Sequence, residues 1–192
     1  MRFSEESRLL IEHWDAVQDI MRTEQTLRTD LGRALAATED TVRAESWWDD
    51  GWAFVRSGNA EVYIAREDWR AEDDFMILVG VERFTPGAVF GDEAPSQCYV
   101  WVSGGTKNVP IARRLVGVLD ESGDALGDLD RRESSRYVAQ KTLPKCLPEE
   151  LAEFDDLLLS PIVGFFRHYA GLRELFDQAV AEARQVKEDH DG

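Results

Sequence analysis

The chain is poor in the residues that usually announce a function. It has two cysteines, Cys98 and Cys146, in no C-x-x-C or similar spacing, which removes both a disulfide framework and a local zinc ligand pair. Its three histidines stand apart: His13 on a helical stretch, His168 between Arg167 and Tyr169, His190 near the C-terminus. No nucleophile motif accompanies them, so a serine or cysteine triad has nothing local to support it. Only four lysines are present, and 22 basic residues face 38 acidic ones, for a net charge of −16. That deficit of cations argues against direct nucleic-acid binding, which needs basic groups to displace counterions from phosphate. It argues equally against anionic membranes. No apolar run approaches the roughly 20 residues of a spanning helix, and no signal-peptide core follows Arg2, so a cytoplasmic location is expected.

What is present is a 43% hydrophobic chain of 192 residues, enough for one domain with a packed core. Trp52-Ala-Phe-Val-Arg-Ser and Ala60-Glu-Val-Tyr-Ile-Ala are β-branched and aromatic runs flanking Gly58-Asn59. The spacing predicts a hairpin with a two-residue type II′ loop, pairing Arg56 with Glu61, Val55 with Val62 and Phe54 with Tyr63. In that register Trp52, Phe54 and Tyr63 share one face, and Ala53, Val55, Val62 and Ile64 the other. Phe75 to Val81 is apolar without alternation, as expected of a central strand covered on both sides. Cys98 to Val102 gives a fourth strand, and Arg136 to Leu143 a fifth at an edge guarded by Lys141.

Helical periodicity brackets these strands. From Ser4 onward, Leu10, Val17 and Leu31 recur at multiples of seven beside Trp14, Met21, Leu35 and Val42, joined by Ile20 and Leu27. This is a coiled-coil-like seam interrupted by Glu24 and Gly32. Such a rod, roughly 55 Å long, either breaks near Thr29 to Gly32 or projects and needs a partner. After Pro148 the pattern is helical again: Leu151, Phe154, Leu157 and Leu158, then a stripe from Ile162 to Ala183 with a boundary at Pro161, and a frayed tail from Glu188. The expected class is α+β: a long N-terminal helix over 1–45, a mainly antiparallel sheet of four or five strands with one inserted helix over 46–143, and C-terminal helices packed on it over 144–192, all in one domain.

Several near-motifs fail on inspection. Ser103-Gly-Gly-Thr-Lys-Asn-Val-Pro lacks the glycine spacing and trailing hydroxyl of a phosphate loop, so Asn108 reads as a helix cap followed by Pro110. Asp120 to Asp130 holds four aspartates, but counted from Asp120 the sixth position is Ala125 and the twelfth Arg131, which breaks the calcium-loop order. Adjacent acids such as Asp49-Asp50, Asp73-Asp74 and Asp155-Asp156 would serve a hydrolase only if they converged in a cleft. The tryptophans offer stacking surface, and Trp47, Trp48, Trp52 and Trp69 are candidate binding residues. The competing assignment is core filling between sheet and helices, with Trp47 and Trp48 the pair least expected to be wholly buried.

The order Trp48-x-x-x-Trp52-x-Phe54, Trp69, Val79-Gly-Val-Glu-x-Phe84, Arg136-Tyr-Val and a helical tail resembles the C-terminal accessory region of proteins of the PD-(D/E)XK nuclease superfamily, over about residues 45 to 185. The chain departs from that superfamily at the E-x-K triplet: Gly105, Ala139, Leu143 and Gln185 precede the lysines by two, and Phe84 follows Glu82 by two. Nuclease activity is therefore not implied. The residues favour a non-catalytic interaction or regulatory module, with a protein partner or self-association and no cofactor or metal. The alternatives are a metal-dependent hydrolase or degenerate nuclease built on Asp73, Asp74 and Glu82, and a polyanion mimic, which requires acids gathered on one face.

Overall fold

In the computed structural model, residues 4–71, 74–75, 77–103, 109–121 and 137–191 are described. Ser4 caps the first helix by accepting the Ser7 N–H, and α1 (Glu5–Glu12) then leads through His13 into α2 (Trp14–Arg43). The break falls at His13, whose φ and ψ of −112° and 25° leave the helical range, and not at Thr29 to Gly32. Gly32 stays helical because it serves packing: a Cβ there would lie 3.0 Å from Asn59 Cβ and 3.1 Å from Asn59 O. The missing side chain lets α2 lie against the first hairpin loop.

Five antiparallel strands form one sheet in the order β1 (Trp52–Arg56), β2 (Val62–Arg66), β5 (Ile77–Glu82), β6 (Gln97–Val102), β7 (Tyr137–Thr142). Short strands β3 (Arg70–Ala71) and β4 (Asp74–Phe75) pair separately. The mixed helix-and-sheet class, the central place of the apolar third run and the edge place of the last strand agree with the expectation. The hairpin register does not. Phe54 pairs with Ile64, Val55 with Tyr63 and Arg56 with Val62, and Ser57 N–H bonds to Glu61 O. The loop is therefore three residues, Gly58-Asn59-Ala60, with Gly58 alone supplying the positive φ of 68°.

A slip of one residue exchanges faces. Trp52, Phe54, Val62 and Ile64 now point to the helix side, joined by Val79, Val81, Cys98, Val100 and Val102. Ala53, Val55, Tyr63 and Ala65 point to the other side with Leu78, Tyr99, Trp101 and Tyr137. The corrected register has a physical logic: Val62 and Ile64 join the aliphatic side chains of β5 and β6 against the helices, and Tyr63 joins Tyr99 and Tyr137 on the outside. Gly80 is part of that outer layer, because the Tyr99 ring crosses above it and donates its hydroxyl to Glu61 at 2.6 Å.

The helices cover the aliphatic face. After β5, Thr85 caps the short α3 (Pro86–Val89) by accepting the Ala88 N–H. Helix α4 (Val109–Glu121) sets Ala112, Leu115 and Leu119 into the core. The expected Asn108 cap, the Asp120 to Asp130 loop beyond Glu121 and Arg136 lie outside the described residues. Pro148–Glu153 is a 3-10 turn and Asp155–Leu159 a π turn, so the first C-terminal stripe is irregular where a plain helix was expected. Pro161 then opens α5 (Ser160–Gly171) in its first turn, where a missing N–H costs nothing. The long stripe breaks at Leu172, and α6 (Arg173–Asp191) continues as helix through the segment expected to fray.

Candidate interaction surface

The seam running along α1 and α2 is one stripe with two fates. Leu31, Leu35, Thr38 and Val42 are buried against the body of the protein, while Leu10, Trp14 and Met21 of the same stripe are exposed. The contrast is large: Leu35 is 1% exposed and Ile20 68%. Of the nine exposed large apolar side chains among the described residues, seven lie between Leu9 and Leu27. Scattered exposed leucines need no explanation, but a contiguous helical stripe of this length does.

The boundary between the two fates is marked by charge. Glu24 and Arg28 occupy the seam itself and pair with each other at 2.5 Å. On the body side, Glu39 takes Arg56 at 2.7 Å and Arg43 at 2.9 Å, which ties α2 to β1. Burial pushes the Glu39 carboxyl up, but the two arginines outweigh it and hold it below the usual carboxylate range. The second half of α2 is thus anchored by packing and ion pairs, and the first half extends beyond that anchorage.

The tryptophans cluster where α2 hands over to β1. Trp47 packs edge-on against Trp52 at 5.4 Å, Trp48 lies 5.7 Å from Trp47, and Trp52 meets Trp69 at 5.4 Å. Trp69 continues the chain of rings to Phe176. Trp52 and Trp69 are buried, so they belong to the core; Trp47 and Trp48 are half-buried at its rim. Arg43 lies over the Trp48 ring at 5.1 Å and Arg66 over Trp52 at 5.3 Å.

A polar network that spacing did not reveal closes this cluster. Arg66 donates to Asp49 at 3.0 and 3.2 Å and to Asp68 at 3.1 Å; Arg173 donates to Asp49 at 3.2 Å; and the Trp69 indole N–H donates to Asp177 at 2.7 Å. Partial burial pushes the Asp49 carboxyl up, but the Gly51 N–H and the two arginines prevail, so it stays below the ordinary range. Two of these contacts join residues more than a hundred positions apart, 124 for Arg173 and Asp49 and 108 for Trp69 and Asp177, so no local pattern carries the signal that brings α6 here.

The acidic residues named as an alternative site are placed differently. Glu82 ends β5, accepting from Gln97 at 2.5 Å and from the Tyr137 hydroxyl at 3.2 Å. Asp74 belongs to β4, before the start of β5, and β5 itself runs roughly 16 Å from Ile77 to Glu82 at about 3.3 Å per residue. Asp73 lies outside the described residues. Among the described residues no group of three or more His, Cys, Asp or Glu side chains gathers to hold a metal ion. No helix among them is long and apolar enough to cross a membrane.

The exposed half of the seam carries its own sequence signal. Leu9-Leu10-Ile11 is a run of three apolar residues in an otherwise polar helix, a pattern a lone surface helix does not tolerate without a function. No protein-family model, curated protein or solved structure matches this chain.

Proposed function

We propose that this protein is a non-catalytic interaction module that docks through the N-terminal half of its helical seam. The carrying observation is the continuity of the stripe: the same spacing that buries Leu31, Leu35 and Val42 leaves Trp14, Met21 and their neighbours exposed. An amphipathic helix gains most of its stability from covering its apolar face, and an isolated one is marginal in water. A protein partner supplies that cover.

The test is a photo-reactive residue placed at Ile20, with Thr26 on the opposite side of the helix as control. In living cells the Ile20 probe is expected to yield a discrete protein adduct and the Thr26 probe none. A folded Ile20 variant giving no adduct above the control refutes the reading.

A further inference from the structure

Building on that interaction reading, we infer that the partner of the exposed seam is a second copy of this chain, its helix running antiparallel about a two-fold axis between Asp15 and Ala16. About that axis Leu10 falls opposite Met21, Ile11 opposite Ile20 and Trp14 opposite Val17, so the central layers pair apolar with apolar, while Leu9, off the seam, falls opposite Arg22. Ser4, the N-cap of α1, falls opposite Leu27, the last exposed residue of the stripe. The uncovered length is therefore matched to itself, ending where the body begins to cover Leu31.

Charge placement supports a like partner. Between Leu9 and Arg22 the charged side chains are Glu12, Asp15, Asp19 and Arg22, and helical spacing puts all four on the side away from the seam. The flanks of the seam carry Ile11, Gln18 and Ile20 with His13, then Gln25 and Leu27. Two copies of a chain with a net charge of −16 repel one another, and a neutral contact face keeps that repulsion at a distance. A basic partner helix would instead be met by acids at those flanking positions.

The direction follows from the body. From Leu31 onward the seam is filled by the chain's own core, so a parallel partner would drive its body into occupied space and set Glu24 against Glu24. An antiparallel partner places the two bodies at opposite ends. The six exposed apolar side chains of the seam and its flanks, each more than a third accessible, offer on the order of 600 Å² per copy, near the roughly 800 Å² per partner of a standard interface.

Sedimentation of the full chain at concentrations on the order of 100 μM is expected to give twice the 21.8 kDa monomer mass. Met21→Glu and Trp14→Glu should each weaken association by roughly a hundredfold or more, with an unchanged helical spectrum and melting curve. Raising salt should tighten the dimer, because it screens the repulsion between acidic bodies. Direction is read by mixing Leu10→Cys and Met21→Cys proteins with a bis-maleimide too short to span the roughly 16 Å between like positions. Cys98 and Cys146 are buried and stay silent. Cross-linked dimer is expected only in the mixture. A monomeric wild type, a dimer indifferent to Met21→Glu, or cross-linking of Leu10→Cys with itself overturns this inference. A monomer that still yields a foreign adduct from Ile20 in cells removes self-pairing and leaves the interaction reading standing.

Discussion

The bond between Trp69 and Asp177 joins the strand region to the last helix, and its removal can be worked through from both ends. Trp69 is 0% exposed and packs edge-on against Trp52 and Phe176. Trp69→Phe keeps an aromatic ring but deletes part of the volume and the N–H, for about 1–2 kcal/mol of packing and cavity. The lost bond to a carboxylate adds about 1 kcal/mol. That figure sits low in the range for charged acceptors because the Asp177 side chain is 43% exposed and keeps Arg173 at 3.6 Å. The complementary change, Asp177→Ala, leaves a buried indole N–H without its acceptor and should cost about 1–2 kcal/mol. Asp177→Asn retains an acceptor oxygen and should recover about half of that. Urea unfolding followed by circular dichroism, with an unchanged m-value, measures each change. The double variant should show a coupling of about 1 kcal/mol. Costs that add to within about 0.3 kcal/mol would mean the two groups act independently, and the account of how α6 is held to the sheet would be wrong.

Gly80→Ala should destabilise by about 2–4 kcal/mol in the same assay: the new Cβ would stand 2.7 Å from Tyr99 Cζ and 2.9 Å from Tyr63 Cβ, and the latter cannot swing away. A change below about 0.5 kcal/mol would show that the outer layer is loosely packed. Because the folded Asp49 carboxyl titrates below its ordinary range, the unfolded chain takes up its proton first as pH falls. Its contribution is therefore complete above about pH 5 and lost as pH drops through the folded value. Urea midpoints between neutral and acid pH should fall less steeply for Asp49→Asn than for the wild type, and identical slopes would contradict this. Burial pushes the Cys98 thiol up to about 12, so a thiol reagent at mildly alkaline pH should label it only on unfolding. Fast labelling of Cys98 in the native protein would refute its placement inside the core.

Much of the architecture was legible from pattern. The helical seams, the apolar central strand and the edge strand are long or strongly biased segments, and periodicity alone fixes what they are. The first hairpin was legible as a hairpin but not in its register. Both strands carry apolar residues on both faces, so alternation gave no preference between two loop lengths one residue apart. The break at His13 carries no proline or capping signal, whereas Pro161, which has no N–H to donate, directly follows the π turn, and Gly171 ends α5 beside the break at Leu172. Of the candidate binding residues, Trp47 and Trp48 could be set apart by their place at a junction. That Trp69 is core and Trp48 is rim depends on where α6 and Arg43 arrive.

By itself the sequence determined that α2 would have an apolar stripe, because side chains repeating at helical spacing must share a face whatever surrounds them. It could not determine which part of that stripe is free. Leu35 and Met21 occupy equivalent positions on one helix, and only the docking of the hairpin loop beside Gly32 and the packing of α5 decide that the first is core and the second is surface. Covalent order sets the pattern of a face, whereas its burial is a property of what lies across from it.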